Sequence, residues 1–299
     1  MSEIGVKIWR WLFETGDERR LAKLTQDLSD LEIQRDIPYL PDGDRGHLLD
    51  LYRLPGLSAD APVMINIHGG GLFASYKEVN ANFNYEWARL GYHTVSISYR
   101  RIPEVHLKDQ IHDVMSAMRY VGEHAEELGI CTDRVYLTGD SAGALLAHYV
   151  LSICDSKKLQ QTFGEEPPKY AFLAGGFVSI FLDTQRKDIL MAISDQVLAK
   201  GQEKASYAPY ILDPVSMVDI SSYPPLFLVT GKQDLVQKDT MKYAQALKRN
   251  HMPYRLMNFP AGKKRKLDHV FAVKFPKWPE SRMVYRRMTA FFTEVEKDA

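Results

Sequence analysis

The sequence predicts an α/β protein, a mostly parallel, twisted sheet of eight strands with helices on both faces. Three observations carry that expectation. Short apolar runs at 63–67, 135–138 and 226–230 are rich in β-branched and large apolar residues with little alternation, as in strands covered on both sides. Between such runs lie stretches with apolar residues at helical spacing, for example Ile111, Val114, Met115, Met118 and Val121. Glycine-bearing turns follow two of the runs directly, at the carboxyl ends where open parallel sheets bind ligands.

The elements follow in order. Residues 4–13 place Ile4, Ile8, Trp11 and Leu12 at helical spacing among charged residues, which predicts a helix packed on the domain. Trp9, Trp11 or Phe13 of that helix are candidates to line an acyl pocket. Residues 31–53 read as two antiparallel strands about the turn Pro41-Asp42-Gly43-Asp44. Residues 63–67 form a central strand, and Phe83, Trp87 and Leu90 share a helical face stopped by Gly91. A strand at 94–99 leads into Arg100-Arg101-Ile102-Pro103-Glu104, and the next helix runs toward Gly129. The strand at 135–138 enters a glycine turn and is followed by a helix carrying Leu145, Leu146 and Val150. Residues 170–180 make another strand, whereas 181–222 is the least periodic region and reads as an inserted, mainly helical cap. A strand at 226–230, a helix with Met241, Ala244 and Leu247, a strand at 254–258 and a closing helix marked by Met283, Val284, Met288, Phe291, Phe292 and Val295 complete the chain. The expectation is one domain, 1–299, with cap elements from 1–30 and 181–222.

Composition narrows the class. A chain of 299 residues with 45% hydrophobic and 25% charged residues has material for a large core. Net charge of zero gives no electrostatic case for nucleic acid or an anionic membrane surface. Two cysteines outside any metal-type spacing point to neither a disulfide framework nor a metal site, and no cofactor is implied. Lys7, Arg10 and Glu14 interrupt any leader-like apolar run, and 170–182 is too short to span a bilayer, so no integral membrane segment and a cytoplasmic location are expected. Oligomeric state stays open, a homodimer included.

Two motifs carry the chemistry. Val135–Gly143, by residue VYLTGDSAG, is a strand, a Gly-x-Ser-x-Gly turn and a helix start, the context in which a serine hydroxyl projects from a sharp turn. Alone the pattern is weak, because Gly and Ser are common. Upstream, His68-Gly69-Gly70-Gly71 follows the 63–67 strand with no polar spacer, as a loop does that offers backbone N–H groups to a developing oxyanion. Together and in this order they single out Ser141 as a nucleophile. A serine needs a base, and the base a third group to orient it. Of the late histidines, His251 precedes the last strand, on the wrong edge of the sheet, whereas His269 follows it. Asp234 follows the 226–230 strand; Asp219 precedes that strand, Asp239 lies inside a helix, and Asp268 is too near His269 to reach its Nδ1. His68 reads as orienting its loop together with Gly69, its ring away from the serine.

The chain resembles the hormone-sensitive-lipase-like esterases of the α/β-hydrolase superfamily. The resemblance rests on HGGG at 68–71, YRRIPE at 99–104, GDSAG at 139–143, YPPLFLVTGKQD at 223–234 and DHVF at 268–271, spread over residues 45–275. It implies the α/β-hydrolase fold, Ser141, Asp234 and His269 as triad, and an oxyanion hole from the N–H groups of Gly70, Gly71 and Ala142. It also implies a cap drawn partly from the N-terminus. Two departures stand out. Lys263-Lys264-Arg265-Lys266 precedes the histidine, read as a solvated loop or a lip for anionic or sugar-bearing substrates, and Ser98 and Arg101 replace more usual residues about the tyrosine-arginine pair. The expected function is hydrolysis of small, short-chain acyl esters, with a small-molecule ester as the partner; amidase or formamidase action on the same machinery, and a non-enzymatic receptor, are the alternatives.

Overall fold

The structure, a computed structural model, describes residues 3–23, 26–185 and 196–298. Residues 186–195 of the expected cap, and residues 1, 2, 24 and 25 of the N-terminal one, lie outside the described residues.

Among the described residues, eight strands form one sheet in the order β1-β2-β4-β3-β5-β6-β7-β8. They are β1 (Glu32–Pro38), β2 (Leu48–Arg53), β3 (Val63–Ile67), β4 (His93–Ile97), β5 (Val135–Asp140), β6 (Phe172–Val178), β7 (Leu226–Gly231) and β8 (Tyr254–Phe259). β2 pairs antiparallel with β1 and with β4, and from β4 to β8 every pairing is parallel. The helices are α1 (Glu3–Lys23), α2 (Ala81–Arg89), α3 (Leu107–Glu123), α4 (Ala125–Leu128), α5 (Ala142–Asp155), α6 (Lys157–Phe163), α7 (Ala208–Leu212), α8 (Gln237–Arg249), α9 (Phe271–Lys274) and α10 (Pro279–Asp298).

Because successive strand side chains point to opposite faces, each central strand feeds two cores. Val63, Ile65 and Ile67 of β3 and Val135 and Leu137 of β5 enter the core formed with α3, α5 and α8. Met64 and Tyr136 enter the other, against Phe83 and Trp87 of α2 and Val284, Met288 and Phe292 of α10. α10 comes so close to β6 that a Cβ on Gly176 would meet the Met288 sulfur at 2.6 Å, so a larger residue there would require the Met288 side chain to move.

The N-terminal helix forms, over 21 residues, but with its faces reversed from the sequence expectation. Ile4, Ile8, Trp11 and Leu12 point to solvent, while Val6 and Arg10 are buried. Arg10 explains the reversal. Its Nε donates to Phe73 O at 2.6 Å, one Nη to Ile102 O at 2.6 Å, and both Nη atoms reach the Glu104 carboxylate at 2.9 and 2.6 Å. A guanidinium that satisfies two carbonyls and a bidentate carboxylate sets the helix rotation more firmly than a four-residue apolar stripe.

α5 is tied to α8 and to the turn at 214–219 by His148, wholly buried, whose Nε2–H donates to Pro214 O at 2.9 Å while Nδ1 accepts from the Tyr243 hydroxyl at 3.1 Å. Burial pushes its pKa down to about 4, against a weaker upward pull from the Pro214 carbonyl. A histidine depressed from 6.5 leaves the unfolded chain holding more protons between pH 6.5 and 4, so stability falls as pH drops through that window. The expected loss from this group is about 3 kcal/mol. Thermal melts of wild type and His148→Gln between pH 7 and 4 check it: the variant is the less stable at pH 7 but has the flatter slope.

Candidate active site

Ser141 occupies the tip of the turn between β5 and α5, at φ 52°, ψ −118°. That is a strained conformation for a residue with a side chain, costing on the order of 1–3 kcal/mol, and tertiary contacts must hold it. They do so through Gly143. A Cβ there would run into the carbonyl oxygens of Ile67 and His68, so the first turn of α5 sits directly on the end of β3. The contact brings the loop 69–71 beside Ser141, and both line one cavity. Gly70 and Gly71 have positive φ (128° and 61°). Ala142 is fully buried at the N-terminus of α5, where the leading N–H groups have no intrahelical acceptor and the dipole is positive.

Ser141 Oγ lies 2.9 Å from His269 Nε2, and His269 Nδ1 lies 2.8 Å from Asp234 Oδ1. A carboxylate only accepts, so Nδ1 carries the proton and Nε2 is free to accept from the serine hydroxyl. Asp234 is held in turn by the Thr230 hydroxyl on Oδ2 at 2.8 Å and by the Val236 N–H on Oδ1 at 3.1 Å. Burial raises the proton affinity of its carboxyl, but the His269 ring, the Ser179 hydroxyl and the Val236 N–H outweigh it and the pKa sits below the usual carboxylate value. An imidazole so placed can take a hydroxyl proton and keep its own orientation.

His68 points away from the serine. Its Nδ1 donates to Gly69 O at 2.6 Å and its ring stacks on Tyr99 at 4.4 Å, 8° from parallel. Full burial brings its pKa down to about 4, so at neutral pH the ring is uncharged. The Tyr99 hydroxyl donates to His68 O at 2.9 Å, linking YRRIPE to the glycine loop.

Several contributors are not legible in the motifs. Asp140, fully buried, accepts the Gly69 N–H at 3.0 Å and the Asn80 amide at 2.6 Å, which fixes the glycine loop from below. Burial lifts its carboxyl above the usual range, with the Asn80 and Gly69 donors opposing. Gln233 Oε1 accepts from Gly262 N at 2.9 Å and Leu267 N at 3.1 Å, pinching shut both ends of the basic run just before His269. No residue of 263–266 lines the cavity; Arg265 pairs with Glu280 at 3.7 Å and packs over Trp278. The cavity measures about 460 Å³, and its walls are mainly apolar, with Phe13, Val79, Leu235, Val270 and Val273 beside the glycines. α1 supplies Phe13, Asp17 and Arg20 to it, Trp11 faces solvent, and no described residue of 196–222 does so. Among the described residues there is no cluster of His, Cys, Asp and Glu able to hold a metal, and no helix long and apolar enough to cross a membrane.

A strand-turn-helix serine, a glycine loop and a histidine-carboxylate pair on an eight-stranded sheet define a hydrolase-type architecture, and comparison with known proteins agrees. The family pattern described as the alpha/beta hydrolase fold matches residues 64–271, and the chain belongs to the hormone-sensitive-lipase-like esterase/lipase family within it. Among its relatives is a probable carboxylic ester hydrolase, LipM, of Mycobacterium tuberculosis, 29% identical over 228 residues, 71% of this chain and 52% of that one. Carboxylesterase NlhH of the same species is 27% identical over 256 residues, covering 81% and 77%. Esterase B from Lactobacillus rhamnosis superposes with a TM-score of 0.91 at 27% identity, over 99% of this chain and 95% of that one. The chain spans about half the length of the first curated relatives it matches, 52% and 51%.

The Gln233 contacts are checked by amide exchange. Gln233→Leu removes the acceptor shared by Gly262 and Leu267, and a lost hydrogen bond of about 1 kcal/mol speeds exchange at those two amides by roughly fivefold. Unchanged protection there assigns the loop's closure to other contacts.

Proposed function

We propose that the protein is a serine carboxylic ester hydrolase acting on small, short-chain acyl esters. The observation that carries this is the unbroken hydrogen-bonded line from Ser141 Oγ through His269 to Asp234, opening on an apolar cavity of about 460 Å³. Ser141 Oγ attacks the ester carbonyl carbon as His269 Nε2 takes its proton, and Asp234 steadies the imidazolium without becoming protonated. The carbonyl oxygen, now negative, is received by the N–H groups of Gly70, Gly71 and Ala142, where the α5 dipole also favours negative charge. His269 returns the proton to the departing alcohol, leaving an acyl-serine. It then activates water for the second attack, and the serine is released with the carboxylic acid.

Cavity size supports the short-chain reading, since sites near the lower end of the usual range of about 300–1,000 Å³ take small ligands. So does a related structure: esterase B from Lactobacillus rhamnosis, 28% identical here, has been solved inhibited by a C4-C4 tributyrin phosphonate. Within this reading α1 belongs to the cap and forms a wall of the cavity. Two free cysteines fit a cytoplasmic location.

The test is hydrolysis of 4-nitrophenyl esters from acetate to dodecanoate, with the matched butyranilide alongside. Butyrate or acetate is expected to be fastest and the anilide slow; a faster anilide would make the protein an amidase. Ser141→Ala is expected to lower kcat by at least about 10³-fold, and Asp234→Asn by about 10³- to 10⁴-fold. Wild-type rates in either variant would defeat the proposal, as would failure of a fluorophosphonate to label Ser141.

A further inference from the structure

The segment that carries His269 is strongly basic in a chain whose net charge is zero. Residues 263–282 hold seven lysines and arginines against two acids, Asp268 and Glu280. Both acids are engaged, Glu280 with Arg265 at 3.7 Å and Asp268 with Lys266 at 3.8 Å. Among the described residues the other five cations have no carboxylate within ion-pairing distance. One of the five, Lys274 at the end of α9, is half-buried and lines the cavity with Val270 and Val273. The remaining charged groups of that lining have partners. Asp17 and Arg20 hold each other at 3.2 Å, and Asp17 also accepts from the Ser75 hydroxyl at 3.3 Å. Arg20 donates further to the carbonyls of Val79 at 3.2 Å and Lys274 at 3.4 Å, so α1 and α9 meet at one corner of the cavity. Asp140 accepts from Gly69 and Asn80, and His269 is paired with Asp234. Lys274 is therefore the lining cation without a carboxylate partner among the described residues. Its charge is felt beside the serine: burial lifts the Asp140 carboxyl, and Lys274 is among the groups that draw it back.

Taking the esterase reading as given, we infer that the substrates are esters bearing a carboxylate, which Lys274 receives at the cavity wall and the basic segment around it attracts. A half-buried ammonium beside apolar walls has lost part of its water shell and gains from an anion within reach. A neutral ester filling the cavity would displace more of that water and offer only an uncharged oxygen. One unpaired ammonium matches one negative charge. Arg20 is already held by Asp17, so a dianionic phosphate would find no second free cation among the described lining residues. Lys263 and Lys264 lie outside the cavity, but their charge acts at a distance, screened over about 8 Å at 0.15 M salt and about 30 Å at 0.01 M. Unpaired cations flanking the site raise the local concentration of an anionic substrate. Gln233, the neighbour of Asp234, holds both ends of the run that carries them, so their position relative to the site is fixed. A membrane or other polyanion could use the outer lysines but has no use for one in the cavity wall, and for that reason a small anionic ester is the occupant.

The experiment compares twin esters that differ in charge and hardly in shape. 4-Acetoxybenzoate and 4-acetoxybenzamide place the carboxylate or its amide on the alcohol side; the mono-4-nitrophenyl ester of adipic acid and its terminal amide place it on the acyl side. In at least one pair the anion is expected to exceed the amide in kcat/KM by about tenfold or more, as for a hydrogen bond to a charged group. That pair reports which side of the ester faces Lys274. The advantage is expected to shrink as salt rises from about 0.01 M to about 0.15 M. Lys274→Gln is expected to lower the anion-to-amide ratio at least about tenfold, and Lys274→Arg to keep it within about threefold. The ratio cancels the fraction of active protein, so a poorly folded preparation does not imitate the result. Equal rates within both pairs overturn the inference. So does a ratio that Lys274→Gln leaves unchanged, or one that Lys274→Arg lowers equally, which makes the effect one of shape. Uptake onto phosphatidylserine vesicles at about 0.15 M salt without any preference between twins also overturns it and makes the segment a membrane site. Failure of the esterase reading shows separately, as wild-type protein inert toward all four esters and 4-nitrophenyl acetate. The charge preference is then read from calorimetric titration of Ser141→Ala protein with 4-acetoxybenzoate and its amide, where equal affinities overturn it.

Discussion

The close approach of α5 to the end of β3 is the constraint on which the site depends. Gly143 lies against the carbonyl oxygens of Ile67 and His68, with no room for a Cβ. That contact forces the chain to reverse within 139–143 and drives Ser141 into its positive-φ conformation. It also fixes the distance between the serine and the glycine loop, because that loop begins where β3 ends. A single missing methyl group thus determines both the exposure of the hydroxyl and what it faces.

A second layer of interactions steadies what that contact brings together. Asp140, the residue before the serine, is buried under the loop and receives the Gly69 N–H and the Asn80 amide. Tyr99 does similar work from the next strand, stacking on His68 and donating to its carbonyl. On the far side, Gln233 gathers the loop that leads to His269, while its neighbour Asp234 meets the His269 ring. Residues adjacent in sequence to Ser141 and Asp234 therefore orient the loops that face them. The strain at Ser141 is tolerated because these contacts are made to backbone atoms of several elements at once.

The architecture was legible because a parallel sheet covered on both faces leaves a strong trace. Its strands must be apolar on both sides, and its helices must be amphipathic, so the period alternates visibly along the chain. Every strand expected from that trace is present, including the antiparallel pair about residues 41–44. Ser141, His269 and Asp234 could be picked out because each follows a strand at its carboxyl end, and these three side chains do meet. Asn80 and Gln233 left no such trace. Their roles depend on a distant backbone group, and a polar residue in a loop carries no periodicity.

What the sequence by itself determined is the order and type of the elements and the edge of the sheet where the polar groups converge, since local period and strand polarity fix both. What only the tertiary structure decided is the rotation of α1 and the destination of the basic run. An apolar stripe says that a face is available for burial, not that it is buried, and the Arg10 bonds to Phe73, Ile102 and Glu104 turned that stripe outward. Likewise the basic run 263–266 could have bordered the cavity, but the Gln233 side chain folds the run back on itself. Both outcomes rest on directional hydrogen bonds between residues far apart in the chain, a kind of information that a one-dimensional pattern does not contain.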